Sequence, residues 1–230
     1  MSIHPFPVFP LCALLCLAAG SVQAQQIQPL SYDMPNGYGQ ANGGGRNYWD
    51  ASYNGSGDPL LDYSPLSGGT GDLTDGVIAT QRWDEVENDA GTGPYVGWNK
   101  GDPWVITFHF DGVQNFGSVT AWHDDANGWG DIAPPGSITV TVGGMSQRFD
   151  IVDPASDTPF GSVLALGPGW TGDTLVLSLE RFNNGLMLSE VTFLAAAVPE
   201  PATWALWAAG AGLLVQRRMR QAASRRGVAA

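Results

Sequence analysis

Past residue 16 the chain has no cysteine; Cys12 and Cys16 are the only two. A form that has lost this leader can use neither disulfide staples nor thiol catalysis. Basic residues are almost as scarce. Between Gln25 and Ala197 there are five (Arg46, Arg82, Lys100, Arg148 and Arg181) against 21 acidic residues, so the formal charge is 5 − 21 = −16. Without a basic patch, nucleic acid is not an expected partner, because neutralising phosphates dominates that affinity. The acidity suits cation binding, or it simply keeps the protein soluble. Histidine is limited in this stretch to His109 and His123. There is no G-x-S-x-G elbow, no H-E-x-x-H and no phosphate-cradling glycine loop. Carboxylates abound, but no spacing singles out a pair for glycoside hydrolysis. An enzyme is therefore not expected. No amphipathic helical stripe occurs between the two ends, which leaves β-structure as the means of burying a core.

The two ends differ from the middle. Leu11 to Ala19 is a short apolar core followed by Val22-Gln23-Ala24, a small-residue cleavage site. Residues 1–24 thus read as a signal peptide for Sec-type export, cut after Ala24. At the other end, Val198-Pro199-Glu200-Pro201 precedes an apolar run from Ala202 to Val215 and then Arg217, Arg218 and Arg220. A stable transmembrane helix needs about 20 apolar residues, and the prolines bar the preceding alanines from joining this run. It reads either as a thin single-pass anchor or as a temporary signal at the inner membrane. The tail from 198 to 230 resembles the PEP-CTERM sorting signal of Gram-negative bacteria, carried by Val198, Pro199, Glu200, Pro201, the Ala/Gly/Leu/Trp-rich helix, Arg217 and Arg218. That resemblance implies an exosortase as processing partner and a destination in the cell envelope, at the surface or in an extracellular polysaccharide matrix.

The middle, residues 25–197, is long enough for one domain. Asn42-Gly43-Gly44-Gly45 and Asn54-Gly55-Ser56-Gly57 are turn chemistry. Strands are predicted at Gln28–Met34, Tyr48–Tyr53, Trp104–Phe110 (bounded by Asp111-Gly112), Val119–His123, Ser137–Val142, Gln147–Val152, Thr174–Leu179 and Leu186–Leu194. The alternation in Ser137–Val142 and the Gly143-Gly144 turn after it predict a hairpin. Many short strands joined by turns make an antiparallel sandwich. Their order, with Leu73-Thr74-Asp75-Gly76 first, Trp104 to Phe108, Val119 to Trp122, Ser137 to Val142, and Leu188-Ser189-Glu190-Val191 last, is similar to the galactose-binding-like β-sandwich. This is the jelly roll of discoidin domains and fucose-binding lectins, and the similarity spans Leu73 to Leu194.

That resemblance implies a non-catalytic attachment module and nominates calcium ligands. In lectin-like members an Asp-Gly aspartate and a glutamate leading the last strand hold a structural calcium, and Asp75 and Glu190 match them. The carbonyls of Leu73 and Val77 would add to the set, since calcium takes six to eight oxygens. The plainer alternative is a turn-starting aspartate and a polar strand residue. His123-Asp124-Asp125-Ala126-Asn127-Gly128 departs from EF-hand spacing and reads as a surface loop. Asp84, Glu85, Glu87 and Asp89 read as a solvated face. Trp83, Trp98 and Trp129, placed in predicted loops beside Asp, Asn and Gly, are the candidate sugar contacts. Their alternative is capping the sandwich ends. Trp104 and Trp122 are expected in the core. The functional expectation is a module bound to an exopolysaccharide, or a structural coat protein without a specific ligand.

Overall fold

The structure is a computed structural model and describes residues 25–39, 45–101, 103–197 and 210–218. Within the compact unit Ala24–Ala197 the described residues form an antiparallel β-sandwich. Its strands are β1 (Gln26–Ile27), β2 (Ser31–Pro35), β3 (Pro65–Gly69), β4 (Val96–Asn99), β5 (Trp104–His123), β6 (Ser137–Val142), β7 (Met145–Asp150), β8 (Phe160–Ala165), β9 (Thr171–Glu180) and β10 (Gly185–Ala195). A one-turn helix, α1 (Trp83–Val86), precedes β4, and a 3-10 turn (Trp129–Asp131) precedes β6.

β5 belongs to both sheets. Its first half pairs with β2 and β9, so one sheet runs β3-β2-β5-β9-β6-β7. Its second half pairs with β8 and β10, and β10 carries β4 and β1 at its opposite ends. The crossing falls where the register shifts between His109 and Gln114. Gly112 lies there with φ 73°, a conformation that costs an L side chain and suits glycine. Asp111-Gly112, expected to end a strand, instead bends one long strand around a corner, as irregularities at sandwich corners do.

The side chains between the sheets follow the strand period. In β9, Leu175, Leu177 and Leu179 are buried, and in β6, Ile138, Val140 and Val142 are. Phe108, Phe110 and Phe193 form edge-to-face pairs at 4.9 and 5.1 Å, a favoured aromatic geometry. β10 departs from alternation: residues from Gly185 to Val191 are all buried. Leu186, Leu188 and Val191 face the main core, whereas Met187 packs into a second cluster with Tyr48, Trp83, Tyr95 and Ile132. Loops cover the outer face of this strand, and that second layer is where the site sits.

Several sequence expectations shift. Tyr48–Tyr53 forms no strand, and β2 begins at Ser31 rather than Gln28. β3, β4 and β8 were not anticipated; each is short and carries glycine, which weakens a strand signal. Ser137–Val142 is β6 as expected, and Gly143 and Gly144 make its hairpin turn with φ 57° and 83°. Residues 1–24, Asn42-Gly43-Gly44, Asp102 and the Val198-Pro199-Glu200-Pro201 motif lie outside the described residues. Residues 210–218 form an exposed helix with Arg217 and Arg218 in its last turn, where cations complement the helix dipole. Among the described residues no helix is long and apolar enough to cross a membrane.

Candidate functional site

β1 pairs with Phe193 and Leu194 of β10, so Gly185 marks the opposite end of that strand. A cleft of about 560 Å³ opens there, within the usual range for small-ligand pockets. Separate chain segments build it. Tyr38 comes from the loop after β2, and Arg46 and Tyr48 from the coil beyond it. Trp83 comes from α1, Trp98, Asn99 and Lys100 from β4 and its exit, Asp131 from the 3-10 turn, and Asn184 from the β9–β10 loop. β4 holds its register on β10 through Gly185↔Asn99 and Leu186↔Trp98. The isolated bridge Ile132↔Gly185 ties the 3-10 turn to the same point. Lys100 and Asp131 sit in left-handed backbone, φ 52° and 64°, uncommon for residues other than glycine and concentrated at functional loops.

Of the three tryptophans singled out in the sequence, Trp83 and Trp98 meet in this cleft, but as its frame rather than as exposed platforms. Trp98 is a β4 residue, not a loop residue, and is 2 % exposed. Its Nε1 donates to the Pro35 carbonyl at 2.9 Å, and its ring stacks on Trp104 at 6.3 Å. The stack continues through Tyr63 at 5.5 Å to Tyr38 at 5.9 Å. Trp83 opens α1 and is 7 % exposed. Tyr48 meets it edge-on at 5.7 Å, and the Arg46 guanidinium lies 5.1 Å from its ring centroid. Gly130 passes so close that a Cβ there would lie 2.6 Å from the Trp83 ring. Trp129, beside Gly130, is 55 % exposed and has the accessible face that a sugar ring needs. Trp104 packs against the core as expected.

Beneath the cleft lies an acidic layer that sequence reasoning placed in solvent. His123, Asp124 and Asp125 are fully buried, and Glu87 nearly so. The reason is hydrogen bonding by the covering loops. Asp124 Oδ1 accepts the Trp83 backbone N–H at 2.8 Å, and Glu87 Oε1 accepts that of Tyr95 at 2.9 Å. Asp50 joins from the other side, accepting the Tyr32 hydroxyl and the Asp72 backbone N–H. Ser52 bridges to Asp72 at 2.5 Å. Asp72 Oδ2, Glu87 Oε2 and Asp124 Oδ2 are buried without partners. Burial first, then neighbouring carboxylates, pushes Asp72 and Asp124 up to about 7 and Glu87 up to about 8. A buried charge is costly unless paired, so Glu87 stays largely protonated at neutral pH and Asp72 and Asp124 titrate close to it.

Asp75 and Glu190, 115 residues apart in sequence, do come together electrostatically. Glu190 is buried and its Oε2 accepts the Gly76 N–H at 2.8 Å; burial and the Asp75 charge raise it to about 8. Asp75 is exposed and its Oδ1 accepts the Val77 N–H at 2.8 Å. The Leu73 carbonyl already accepts the Val191 N–H at 2.9 Å, leaving it one lone pair. The adjacent Thr74 Oγ1 is buried and unpartnered. Two carboxylates and an orphaned hydroxyl fit a hard cation taking oxygen ligands. A cation held there would also need main-chain oxygens, since among the described residues no three His, Cys, Asp or Glu side chains converge on a metal position.

Arg46, Asn99, Lys100, Asp131 and Asn184 were missed from sequence. A signal was present for two of them: Arg46 and Lys100 are two of only five cations in a segment of charge −16, and each lies close to a tryptophan.

Residues 29–128 match the family model described as discoidin domain-containing receptor 1/2, DS-like domain. That span runs from just before β2 to the start of the 3-10 turn. It includes Asp75, Trp83 and Trp98 and stops short of Glu190. No curated protein matches the chain. Among solved structures, the chain is similar to a Streptococcus pneumoniae fucose binding module at 10 % identity and a TM-score of 0.41, covering 65 % of this chain and 97 % of that one. It is also similar to the lectin domain of lectinolysin complexed with Lewis B antigen, at 13 % identity and 0.38, covering 55 % and 83 %. A third similarity is to a GH31 CBM32-2 module bound to GalNAc, at 18 % and 0.34, covering 64 % and 95 %. Over residues 29–128, then, the sandwich is discoidin-like in sequence pattern, and the cleft is built chiefly from that span and the start of β10.

Proposed function

We propose that residues 25–197 form a non-catalytic carbohydrate-binding module whose ligand occupies the cleft at the Gly185 end of β10. The carrying observation is the cleft itself: aromatic walls locked by stacking, with amide and charged groups (Asn99, Lys100, Asp131, Asn184) converging at its rim. Sugar recognition needs an accessible apolar face and fixed hydrogen-bonding groups around it; half-buried Tyr38 and the exposed Trp129 beside Gly130 of the lining offer the first, and the rim groups the second. The discoidin-like family match supports the same reading. Among the described residues Asp131 is the one carboxylate lining the cleft, whereas glycoside hydrolysis takes a pair; this favours holding over cutting. A glycan array with the full-length protein tests this. Saturable binding that is lost on Asn184→Ala and Trp129→Ala supports it. Binding to nothing, or binding indifferent to both variants, returns the protein to the coat-protein alternative.

The same reading assigns Asp75 and Glu190 a structural calcium, with Thr74 and main-chain oxygens completing the shell. It sends the protein through the inner membrane by its leader, with the tail at Val198-Pro199-Glu200-Pro201 handled by an exosortase and the module delivered to the envelope or a polysaccharide matrix. Intact mass and C-terminal peptide mapping from the native host decide the last point. Loss of everything beyond the Pro-Glu-Pro region supports sorting, and an intact tail ending at Ala230 removes it.

A further inference from the structure

We propose that the ligand of this cleft is an anionic saccharide whose carboxylate sits between Arg46 and Lys100. The inference rests on the carbohydrate-binding reading above and names the chemical class of its ligand. Its basis is where the scarce cations are and what they touch. Residues 25–197 carry five basic side chains against 21 acidic ones. Arg82 is paired with Asp84 at 3.0 Å and Asp157 at 3.5 Å. Arg148 is paired with Asp150 at 2.5 Å and Glu180 at 3.3 Å. Arg181 is engaged with the Asn184 carbonyl at 2.5 Å. Arg46 and Lys100 line the cleft, and among the described residues neither forms an ion pair with a carboxylate. With Asp131, the described lining carries a formal charge of 2 − 1 = +1 in a unit of −16.

Arg46 is held in place before any ligand arrives. Its Nη2 donates to the Asp84 carbonyl at 2.6 Å, and its plane rests over Trp83. A guanidinium has five N–H donors in a fixed fork, so this anchoring leaves an edge suited to a bidentate carboxylate. The acidic layer below does not cancel its charge. Glu87 is the carboxylate there that acts on Arg46 electrostatically, and burial keeps it protonated near neutrality. Lys100 also lines the cleft, on a residue held in left-handed backbone. Asp131 accepts from Asn184 Nδ2 at 3.2 Å and remains an acceptor for sugar hydroxyls. The acidic remainder of the unit repels a polyanion only within a screening length of about 8 Å at physiological salt, so local cations decide binding.

The test is calorimetric titration of the full-length protein with three probes: tetragalacturonate, its neutral methyl ester, and a sulfated galactose tetrasaccharide. The expected result is that tetragalacturonate binds at least about tenfold more tightly than its ester and weakens with added salt. Lys100→Gln, at an exposed side chain, lowers affinity for tetragalacturonate roughly fivefold, the scale of one accessible ion pair. It weakens the ester by a smaller factor than the acid. Arg46→Lys keeps the charge and loses the fork, so it weakens the acid by a larger factor than the ester. Equal binding of acid and ester, unmoved by Lys100→Gln, overturns the anionic assignment and leaves the carbohydrate site standing. A preference for the sulfated probe over the uronate overturns the carboxylate assignment. Binding of none of these, together with an empty glycan array, overturns both readings.

Discussion

Replacing Glu87 by glutamine should make this protein more stable at neutral pH, contrary to the usual loss on altering a buried residue. Glu87 Oε1 accepts the Tyr95 N–H at 2.9 Å, and Oε2 is buried without a partner. A Cβ on Gly93 would lie 2.3 Å from the carboxyl, so the pocket is tight and only an isosteric change fits. Burial raises Glu87 from 4.5 to about 8. A carboxyl whose folded value is raised contributes stability that is fully present below its unfolded value and is lost as pH rises through the folded one. The window is therefore about pH 4.5 to 8. At pH 7 the unfolded chain gains by ionising Glu87 and the folded chain does not. At 1.36 kcal/mol per pH unit this costs about 3 kcal/mol. Glutamine does not titrate and keeps the acceptor for Tyr95. One surplus unpaired donor costs about 1 kcal/mol, leaving a net gain of about 2 kcal/mol. For a domain of this size that is roughly 4–8 °C in Tm. Calorimetric melting of Glu87→Gln and the parent across pH 4 to 9 is the assay. Below pH 4.5 the variant should be the less stable of the two by the cost of that donor, about 1 kcal/mol; it should cross the parent at about pH 5 and lead by a margin that widens up to about pH 8. A variant that melts lower at pH 8, or that keeps the parent's pH slope, refutes the account of a buried, proton-holding layer.

The other expectations share the same materials. Calcium at pH 8 should raise Tm in the parent by favouring the ionised Asp75–Glu190 pair, and Glu190→Gln should abolish that rise; no change in the parent at concentrations well above millimolar rules the site out. His123 is fully buried, has no hydrogen-bond partner and is pushed down to about 3, so it destabilises the fold progressively as pH falls below its unfolded value of 6.5. His123→Phe should remove that part of the acid limb in denaturant titrations, and an unaltered limb would show that the imidazole is not the cause. Trp98→Ala should cost about 3–5 kcal/mol as a buried ring loss, whereas Trp129→Ala should leave denaturant midpoints nearly unchanged and weaken glycan binding; equal stability losses in both would mean Trp129 is structural.

The alternating Ser137–Val142 segment with its Gly143-Gly144 turn, the leucines of β9 and the absence of helical periodicity were enough to establish an antiparallel β-sandwich. A period of two and turn chemistry are local properties of the chain. Asp75 and Glu190 were nominated only through family resemblance, because nothing local links two residues so far apart in the chain. The scarcity of cations was equally plain, because composition needs no coordinates. Where the chain is buried was not legible. His123-Asp124-Asp125 and Glu87 are polar in sequence and look solvated. Only long-range packing of α1, the Tyr95 segment and the coil around Asp50 over the outer face of β10 removes them from water. The single course of β5 through both sheets was also hidden, since Asp111-Gly112 is indistinguishable locally from a strand-ending turn. The cleft depended most on tertiary structure. Arg46, Trp83, Lys100, Asp131 and Asn184 are dispersed over nearly 140 residues, and the register of β4 on β10, the Ile132–Gly185 bridge and the Arg46 contacts with Trp83 and Asp84 bring them to one end of the sandwich. Sequence determines which groups are available and which local conformations they favour. Their convergence is set by strand pairing between distant segments, whose energetics depend on partners that no local window contains.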